Sequence, residues 1–230
     1  MNFAGKMVLT FVPVIILSGL TSLPIMAATL NVGNGQPVKT ITEALQIVSE
    51  SDTIVVHKGI YKEGNIVITK PVTLQGVEFP VIDGNKNAEV ISVKCSNVSI
   101  SGFLIQNSGH ASLSDPCGIK IYQSNNVIIS GNRISDNFFG IYAQYCQRCI
   151  IKNNIVTAHG KEEQQIGNGI HCWKSDSLQI YDNYITGHRD GIYFEFVTHS
   201  LIFRNKSVRN IRYGLHFMFS NNDDYISNYF

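Results

Sequence analysis

Apolar and polar residues alternate with a period of two in short runs along the chain, and the runs themselves repeat. Five segments (CGIKIY, FGIYAQ, NGIHCW, DGIYFE and YGLHFM) align on a shared glycine, with spacings of 22, 29, 22 and 23 residues. An asparagine follows each glycine by 14 residues. The glycines are Gly118, Gly140, Gly169, Gly191 and Gly214, and the asparagines are Asn132, Asn154, Asn183, Asn205 and Asn228. The repeat predicts one architecture built from similar units.

The first and third residues after each glycine are apolar, so one side of each strand faces inward. A second inward set lies in the next strand of the unit. Two or three short strands per unit form one coil of a right-handed parallel β-helix, an all-β solenoid whose coils stack at about 4.8 Å. The asparagine column predicts an internal ladder of amide hydrogen bonds. The one long spacing predicts a loop inserted at Lys161 to Gly167.

The chain before the repeats predicts a short helix that caps the solenoid. Thr40 and Glu43 have the spacing of a capping box, and the apolar residues that follow lie on one helical face. Such a helix covers the exposed end of the first coil and prevents edge pairing. The residues of the predicted apolar face are Ile41, Ala44, Leu45 and Val48.

Residues 1–28 have the order of a secretory signal peptide. Lys6 precedes an apolar run from Val8 to Leu20, and the small pair Ala27 and Ala28 follows. The apolar run is short for a membrane span. A buried N-terminal helix or a retained anchor is the alternative. We therefore expect the mature chain to lie outside the cytoplasm.

Residues 29–230 form the predicted β-helix domain. The last residue, Phe230, comes two residues after the last asparagine of the column, inside a predicted strand. No capping segment follows it, so we expect this domain to be incomplete at its C-terminal end.

The charge of the chain excludes some classes of partner. The formal net charge is +1, and charged residues make up 15% of the sequence. This balance offers no electrostatic footprint for nucleic acid and no polybasic patch for anionic lipid.

The sequence contains five cysteines, so at least one stays unpaired unless it pairs between molecules. Cys146 and Cys149 bracket a predicted turn, where a bent disulfide and two buried thiols are both possible. No second Cys-x-x-Cys pair supports a zinc site. Cys172 faces inward and is expected in the core.

Side chains that point outward carry any chemistry of the solenoid. His216 and Met218 lie two residues apart on one predicted strand, so they point the same way, roughly 7 Å apart. Imidazole and thioether together suit a soft metal such as Cu(I). Glu195 is expected one coil below Met218, and His171 two coils below His216, which completes the predicted metal set. The alternative is that His216 and Met218 are ordinary surface residues.

Two other histidines form a weaker candidate pair. His159 and His188 share one turn column in neighbouring coils, although the loop after Gly160 separates them in sequence. We expect them to be structural rather than metal-binding.

Enzymes of the β-helix class need clustered carboxylates for acid–base chemistry. Outward acids are sparse in this sequence, and Asp223 and Asp224 are expected to diverge. Alginate epimerases of this fold carry a Tyr-Gly-Phe-Asp-Pro-His-Asp motif. The similar segment YGLHFMF has His216 and Phe219 where that motif has its acids, and Met218 where it has its histidine. We therefore expect no enzymatic activity.

Three segments resemble the NosD family of periplasmic β-helix proteins: ITEALQIVSESDTIVVHKGIYKE, DGIYFEFVTHSLIFRN and, most specifically, GLHFMFSNNDDYISN. The resemblance covers nearly all of the chain after residue 28. It implies a periplasmic protein that handles copper, held transiently as Cu(I), for assembly of the nitrous oxide reductase copper sites. It also implies partners: an ABC transporter with the ATPase NosF and the permease NosY, the copper chaperone NosL, and the reductase.

A secreted carbohydrate-binding or polysaccharide-modifying β-helix protein is the alternative function. Tyr142, Trp173 and Tyr193 lie in the outward columns, where aromatic rings could stack on sugars. The two functions depend on different residues: copper binding requires His216 and Met218, whereas sugar binding requires the outward aromatic residues.

Overall fold

A computed structural model describes Met1, residues 27–110 and residues 115–230. The predicted signal peptide lies almost entirely outside these residues. Three parallel sheets run along the chain, and each strand pairs with its counterpart one coil away. The all-β parallel β-helix is therefore confirmed. Among the described residues, no helix is both long and apolar enough to cross a bilayer.

Each coil contributes one strand to each sheet, with few exceptions. Sheet 1 has nine strands: β1 (Thr29–Val32), β2 (Thr53–Val56), β5 (Thr73–Gly76), β8 (Ser99–Ser101), β11 (Ile128–Ser130), β14 (Ile150–Lys152), β17 (Gln179–Tyr181), β20 (Leu201–Phe203) and β23 (Asp224–Ile226). Sheet 2 has seven: β3 (Ile60–Tyr61), β6 (Val81–Asp83), β9 (Leu104–Gln106), β12 (Arg133–Ser135), β15 (Ile155–Thr157), β18 (Tyr184–Thr186) and β21 (Lys206–Ser207). Sheet 3 also has seven: β4 (Ile66–Ile68), β7 (Ile91–Val93), β10 (Cys117–Tyr122), β13 (Phe139–Gln144), β16 (Ile170–Trp173), β19 (Asp190–Glu195) and β22 (Tyr213–Met218).

The strand register confirms the glycine alignment. Residues that follow the repeat glycines pair in sequence along sheet 3: Ile119, Ile141, Ile170, Ile192 and Leu215. The long spacing between Gly140 and Gly169 is absorbed by a turn-rich, exposed segment that begins at Lys161, as the sequence predicts. The inserted residues therefore leave the register of the sheets unchanged.

The asparagine column forms the predicted ladder inside the solenoid. The side-chain oxygen of Asn183 accepts hydrogen bonds from the backbone N–H and the Nδ2 of Asn154, both at 3.0 Å. Its own Nδ2 donates to the Ile151 carbonyl at 2.9 Å and to Asn205 Oδ1 at 2.9 Å. Asn132, Asn154, Asn183 and Asn205 are almost fully buried. The ladder thus satisfies polar groups that the core would otherwise leave unpaired.

A helix, α1 (Ile41–Ile47), covers the N-terminal end of the solenoid. Thr40 caps it, since the Glu43 N–H donates to the Thr40 hydroxyl at 3.1 Å. The carboxylate of Glu63 accepts two further N–H groups, from Ile41 and Thr42, at 2.8 Å each. All four residues of the predicted apolar face are buried. The capping helix is therefore confirmed, with Glu63 as a cap contributed by a later coil.

The inward columns form the core, with one difference at β22. Phe194 is fully buried, whereas Phe217, which is paired with it one coil later, is 54% exposed. β22 is the edge strand of sheet 3, so only one neighbouring strand covers it. Phe217 instead stacks on Tyr225, with ring centroids 5.5 Å apart.

Candidate metal centre

The outward column of sheet 3 is a continuous stack of rings. Tyr142 and His171 stack at 4.5 Å, His171 meets Tyr193 edge-on at 4.8 Å, and Tyr193 meets His216 edge-on at 4.8 Å. These distances match the spacing between coils, so each ring covers the next. Phe139 packs on the rings of Tyr142 and His171 from the side.

Most of this column is buried although it points away from the core. Lys120, Tyr142 and Tyr193 are each less than one tenth exposed. The ammonium of Lys120 lies 4.9 Å from the centre of the Tyr142 ring and 3.4 Å from a carboxylate oxygen of Glu89. The outward direction was predicted correctly, but mutual stacking, which the sequence pattern does not show, removes these residues from solvent.

His216 is the accessible end of the stack. Its side chain is 30% exposed, and Nδ1 lies 3.4 Å from Oδ2 of Asp190, which is fully buried. A carboxylate that accepts from Nδ1 selects the tautomer whose Nε2 lone pair is free for a metal, as in many metal-binding histidines. Arg212 Nη2 lies 3.3 Å from the same nitrogen and can donate only to the opposite tautomer. The ring therefore has a partner for either state.

Asp190 and Arg212 anchor this end of the site. The guanidinium of Arg212 contacts both oxygens of Asp190, at 3.2 and 3.1 Å. Sequence reasoning missed Asp190 because it precedes the repeat glycine and so lies outside the two outward columns that follow the glycine. A signal was available: the residue before each repeat glycine is uncharged in the other four units, where Cys117, Phe139, Asn168 and Tyr213 stand.

Met218 and Glu195 occupy the second outward column. Met218 is half-buried and pairs in register with Glu195, which in turn pairs with Trp173. Met218 and His216 both belong to β22 and point to the same side of the sheet, as predicted. These three predicted ligands therefore lie in two adjacent coils.

His171 lies apart from the other three predicted ligands. The ring of Tyr193 separates it from His216. Its Nε2 is buried without a hydrogen-bond partner. Burial, together with the nearby Arg189 and Lys120, lowers the pKa of His171 to about 3, so the ring is neutral at pH 7. Within residues 27–110 and 115–230, no three His, Cys, Asp or Glu side chains converge on one point.

A cleft of about 590 Å³ lies over the middle of the stack. Its lining consists of Asp115, Lys120, Tyr142, Gln144, His171, Trp173 and Glu195. Burial raises the pKa of Tyr142, and the carboxylates of Asp115 and Glu195 raise it further. Of the three aromatic residues predicted to stack on sugars, Tyr142 and Tyr193 are buried, and only Trp173 is partly accessible.

The second histidine pair does not form a site. The side chain of His159 is 79% exposed and its Nδ1 lies 2.6 Å from Asp136, whereas His188 is completely buried. Neither ring nitrogen of His188 has a hydrogen bond of good geometry, and burial lowers its pKa to about 4, although the nearby Gly167 backbone opposes this shift. The two rings differ in environment because the inserted loop follows His159.

The cysteines and the Asp223–Asp224 pair have structural positions. All five cysteines are free thiols, and Cys172 is buried in the core as expected. Cys146 and Cys149 are both buried at one turn. Asp223 accepts the Ser200 N–H at 2.8 Å, while Asp224 is exposed. The two carboxylates therefore have different environments.

Residues 45–230 match the profile of the family described as periplasmic copper-binding protein (NosD). Comparison with curated protein sequences gives no match. The profile match includes β22 and its outward His216 and Met218.

Solved structures share the fold at low sequence identity. A family 28 exopolygalacturonase from Yersinia enterocolitica superposes with a TM-score of 0.59 at 11% identity, covering 88% of this chain and 63% of that one. XylC in complex with xylose gives 0.54 at 11% identity, covering 87% and 69%. A pectin methylesterase in complex with a hexasaccharide gives 0.50 at 11% identity, covering 88% and 80%. The chain thus spans less than two thirds of the exopolygalacturonase, and these similarities establish the fold alone.

Proposed function

We propose, since the chain belongs to the NosD family of periplasmic copper-binding proteins, that it carries Cu(I) transiently for assembly of the nitrous oxide reductase copper sites. Residues 1–28 serve as its signal peptide. It acts beside an ABC transporter composed of the ATPase NosF and the permease NosY, and receives copper from the chaperone NosL. It is a carrier and not an enzyme.

One observation supports the proposal most directly: His216 and Met218 share the outward side of β22, and Asp190 lies behind the His216 ring. An imidazole nitrogen and a thioether sulfur are ligands that Cu(I) accepts. The buried carboxylate lies 3.4 Å from Nδ1 and orients the ring. Glu195, in the adjacent coil, supplies a further oxygen near Met218.

The surroundings of His216 favour release of the ion. The guanidinium of Arg212 lies 3.3 Å from Nδ1 of His216, so its positive charge repels a copper ion bound to the ring. Asp190 compensates part of the charge of Arg212. Few ligands and a nearby cation both weaken binding. Weak binding suits a carrier, because copper must leave by ligand exchange.

The test is an anaerobic Cu(I) competition titration against a chromogenic chelator. We expect stoichiometric binding by the purified chain and its loss in His216→Ala/Met218→Ala. His199→Ala is the matched control, because His199 also contacts a carboxylate, Asp176, at 2.8 Å but has no neighbouring methionine. Equal affinity in the parent and the double variant would refute the site.

The role in reductase assembly requires a test in cells. Cells that produce the His216→Ala/Met218→Ala chain should accumulate nitrous oxide reductase with a reduced copper content, measured by metal analysis of the purified enzyme. Cells with the His199→Ala chain should yield fully loaded enzyme. Full loading with the double variant would separate this chain from copper delivery.

Carbohydrate binding is the second candidate function, and the cleft of about 590 Å³ supports it. The cleft combines the partly accessible ring of Trp173 with polar groups such as Gln144 and Glu195, which is a composition that suits a sugar. Structural neighbours include a pectin methylesterase in complex with a hexasaccharide and XylC in complex with xylose. A glycan array with the parent and Trp173→Ala discriminates the two functions, because sugar binding requires Trp173 and copper binding does not.

A further inference from the structure

Two cysteines face each other across one turn of the solenoid. Cys146 and Cys149 flank a turn that follows β13, with Arg148 in a left-handed conformation at φ +52°. Both side chains point inward, and the residues are 0% and 1% exposed. The thiols therefore lie in the dry interior and not on the surface.

The same two positions carry different residue types in the neighbouring coils. The coil below has Ser124 and Val127, and the coil above has Ser175 and Leu178, as the pairing of the intervening turn residues shows. The Ser175 hydroxyl accepts the Cys146 N–H at 3.0 Å. A serine and an aliphatic residue thus satisfy the turn, and two thiols are not needed for packing or hydrogen bonding.

The two thiols have matching surroundings at the turn. The thiol of Cys146 donates to the carbonyls of Ile121 and Gln144, at 3.5 and 3.3 Å, and the thiol of Cys149 donates to those of Ser124 and Gln147, at 3.6 and 3.5 Å. Their mutual influence raises the pKa of Cys146 and lowers that of Cys149. A disulfide requires Cβ atoms about 3.8 Å apart and a bond of about 2.0 Å between the sulfurs. Cys146 and Cys149 are separated by two residues and both are buried at one turn, so a disulfide between them would link two core positions of a single coil.

We propose that Cys146 and Cys149 form a disulfide bond when the chain folds outside the cytoplasm. The Cys149 thiolate attacks a disulfide of a thiol oxidase or of glutathione, giving a mixed disulfide, and the Cys146 thiolate then displaces the second thiol. Two thiols are oxidised and one external disulfide is reduced to two thiols, with both protons released to them. Because the sulfurs are buried, the bond forms before the coil closes.

The test is thiol counting after refolding in a mixture of oxidised and reduced glutathione. We expect three reactive thiols in denaturant, those of Cys95, Cys117 and Cys172, instead of the five of the reduced chain. Trypsin cleaves after Arg148, between the two cysteines. The peptides 134–148 and 149–152 should therefore stay joined in a non-reducing digest and separate after reduction.

Cys146→Ser/Cys149→Val is the matched control because it copies the residues of the coil below. It should fold, as judged by circular dichroism, and show three thiols in every redox buffer. The thermal unfolding midpoint of the parent should rise by a few degrees on oxidation, while that of the control should not respond. Five thiols after oxidative refolding, or a link to another cysteine, would overturn the proposal. The outcome is independent of copper binding.

Discussion

The fold lowers the pKa of two histidines, His171 and His188. His171 is partly buried between two tyrosine rings, and His188 is completely buried. Each ring has at least one nitrogen without a well-formed hydrogen bond. Protonation of either ring is therefore disfavoured, because desolvation of an imidazolium costs free energy.

We expect stability to fall as the pH drops below about 6.5, the pKa of histidine in an unfolded chain. The pKa values of about 3 and about 4 for His171 and His188 lie below that value, so the unfolded chain binds more protons between pH 6.5 and pH 4. The stabilisation is complete above pH 6.5 and decreases by up to about 1.4 kcal/mol per pH unit for each ring. Urea unfolding between pH 4 and pH 8 measures this slope.

His171→Phe should reduce the slope, since phenylalanine keeps the ring stack and cannot be protonated. His110→Gln, at an exposed histidine, should keep the slope of the parent. Identical slopes in the parent and His171→Phe would show that the His171 ring does not contribute.

A substitution at Asp190 tests the proposed metal centre. Asp190→Asn removes the charge from a buried carboxylate that pairs with Arg212, so we expect a loss of about 2 kcal/mol in the free energy of unfolding. Cu(I) affinity should fall about tenfold or more, because the carboxylate behind a metal-binding histidine is removed. Chemical unfolding and the chelator titration measure the two effects.

Asp182→Asn is the control for that substitution. Asp182 forms a two-contact ion pair with Arg204, at 2.8 and 2.7 Å, but this pair is largely exposed to solvent. Neither the unfolding midpoint nor copper affinity should change. A stability loss without any change in copper affinity in Asp190→Asn would separate Asp190 from the metal centre.

At the scale of elements, each strand is too short to be stable alone. It is stabilised by the equivalent side chains that stack in columns from one coil to the next. Most strands have three to six residues and bury one or two apolar side chains each. The asparagine ladder connects consecutive coils through hydrogen bonds in the dry interior. The ladder lies at the turn between sheets 1 and 2, and it provides hydrogen-bond partners for backbone groups that cannot pair with a strand.

Asn183→Ala should lower the free energy of unfolding by about 3 kcal/mol. The substitution removes the acceptor for two donors of Asn154 and leaves the Ile151 carbonyl without its side-chain partner. Gln179→Ala, at an exposed position in the same coil, should change it by less than about 0.5 kcal/mol. Urea unfolding of both variants provides the measurement, and equal effects would rule out a special role for the ladder.

At the scale of the whole molecule, the solenoid is a one-dimensional stack in which each coil contacts only its neighbours. The capping helix and the candidate metal centre lie at opposite ends of sheet 3, in whose order β4 and β22 are the outermost strands. α1 contacts β4, and His216 lies on β22. Local packing at one end should therefore affect overall stability without altering the chemistry of the other.

Ile41→Ala tests this separation. Ile41 is fully buried under the cap, so the cavity should cost about 3 kcal/mol in the free energy of unfolding. Ile47→Ala, at a residue that is 61% exposed, should cost less than about 0.5 kcal/mol. Cu(I) affinity of the folded protein should be the same in both variants and the parent, and a weaker affinity in Ile41→Ala alone would contradict the one-dimensional description.

Much of the fold can be predicted from the sequence, because each repeat indicates the same arrangement of strands and turns. The glycine and asparagine columns, the inward alternation, the inserted loop and the capping box each depend on neighbours close in sequence or at a constant offset. These local features determine the direction and register of the strands and the residue at which the helix begins. The outward direction of His216 and Met218 follows from the same local pattern, whereas the family resemblance rests on particular segments, most specifically GLHFMFSNNDDYISN.

Only the tertiary structure decided which outward residues meet solvent and which groups contact them. Burial of Tyr142 and Tyr193 results from ring stacking across coils. The charge before Gly191 marks Asp190 in the repeat, but its approach to His216 is a contact between adjacent coils that the pattern does not show. The contacts of Glu63 with the cap, and those of the Cys146 and Cys149 thiols with carbonyls of the coil below, are likewise set by how turns close in space. A pattern of residue types predicts whether a side chain points inward or outward. Its exposure to solvent and its contacts depend on the volumes of the side chains in adjacent coils.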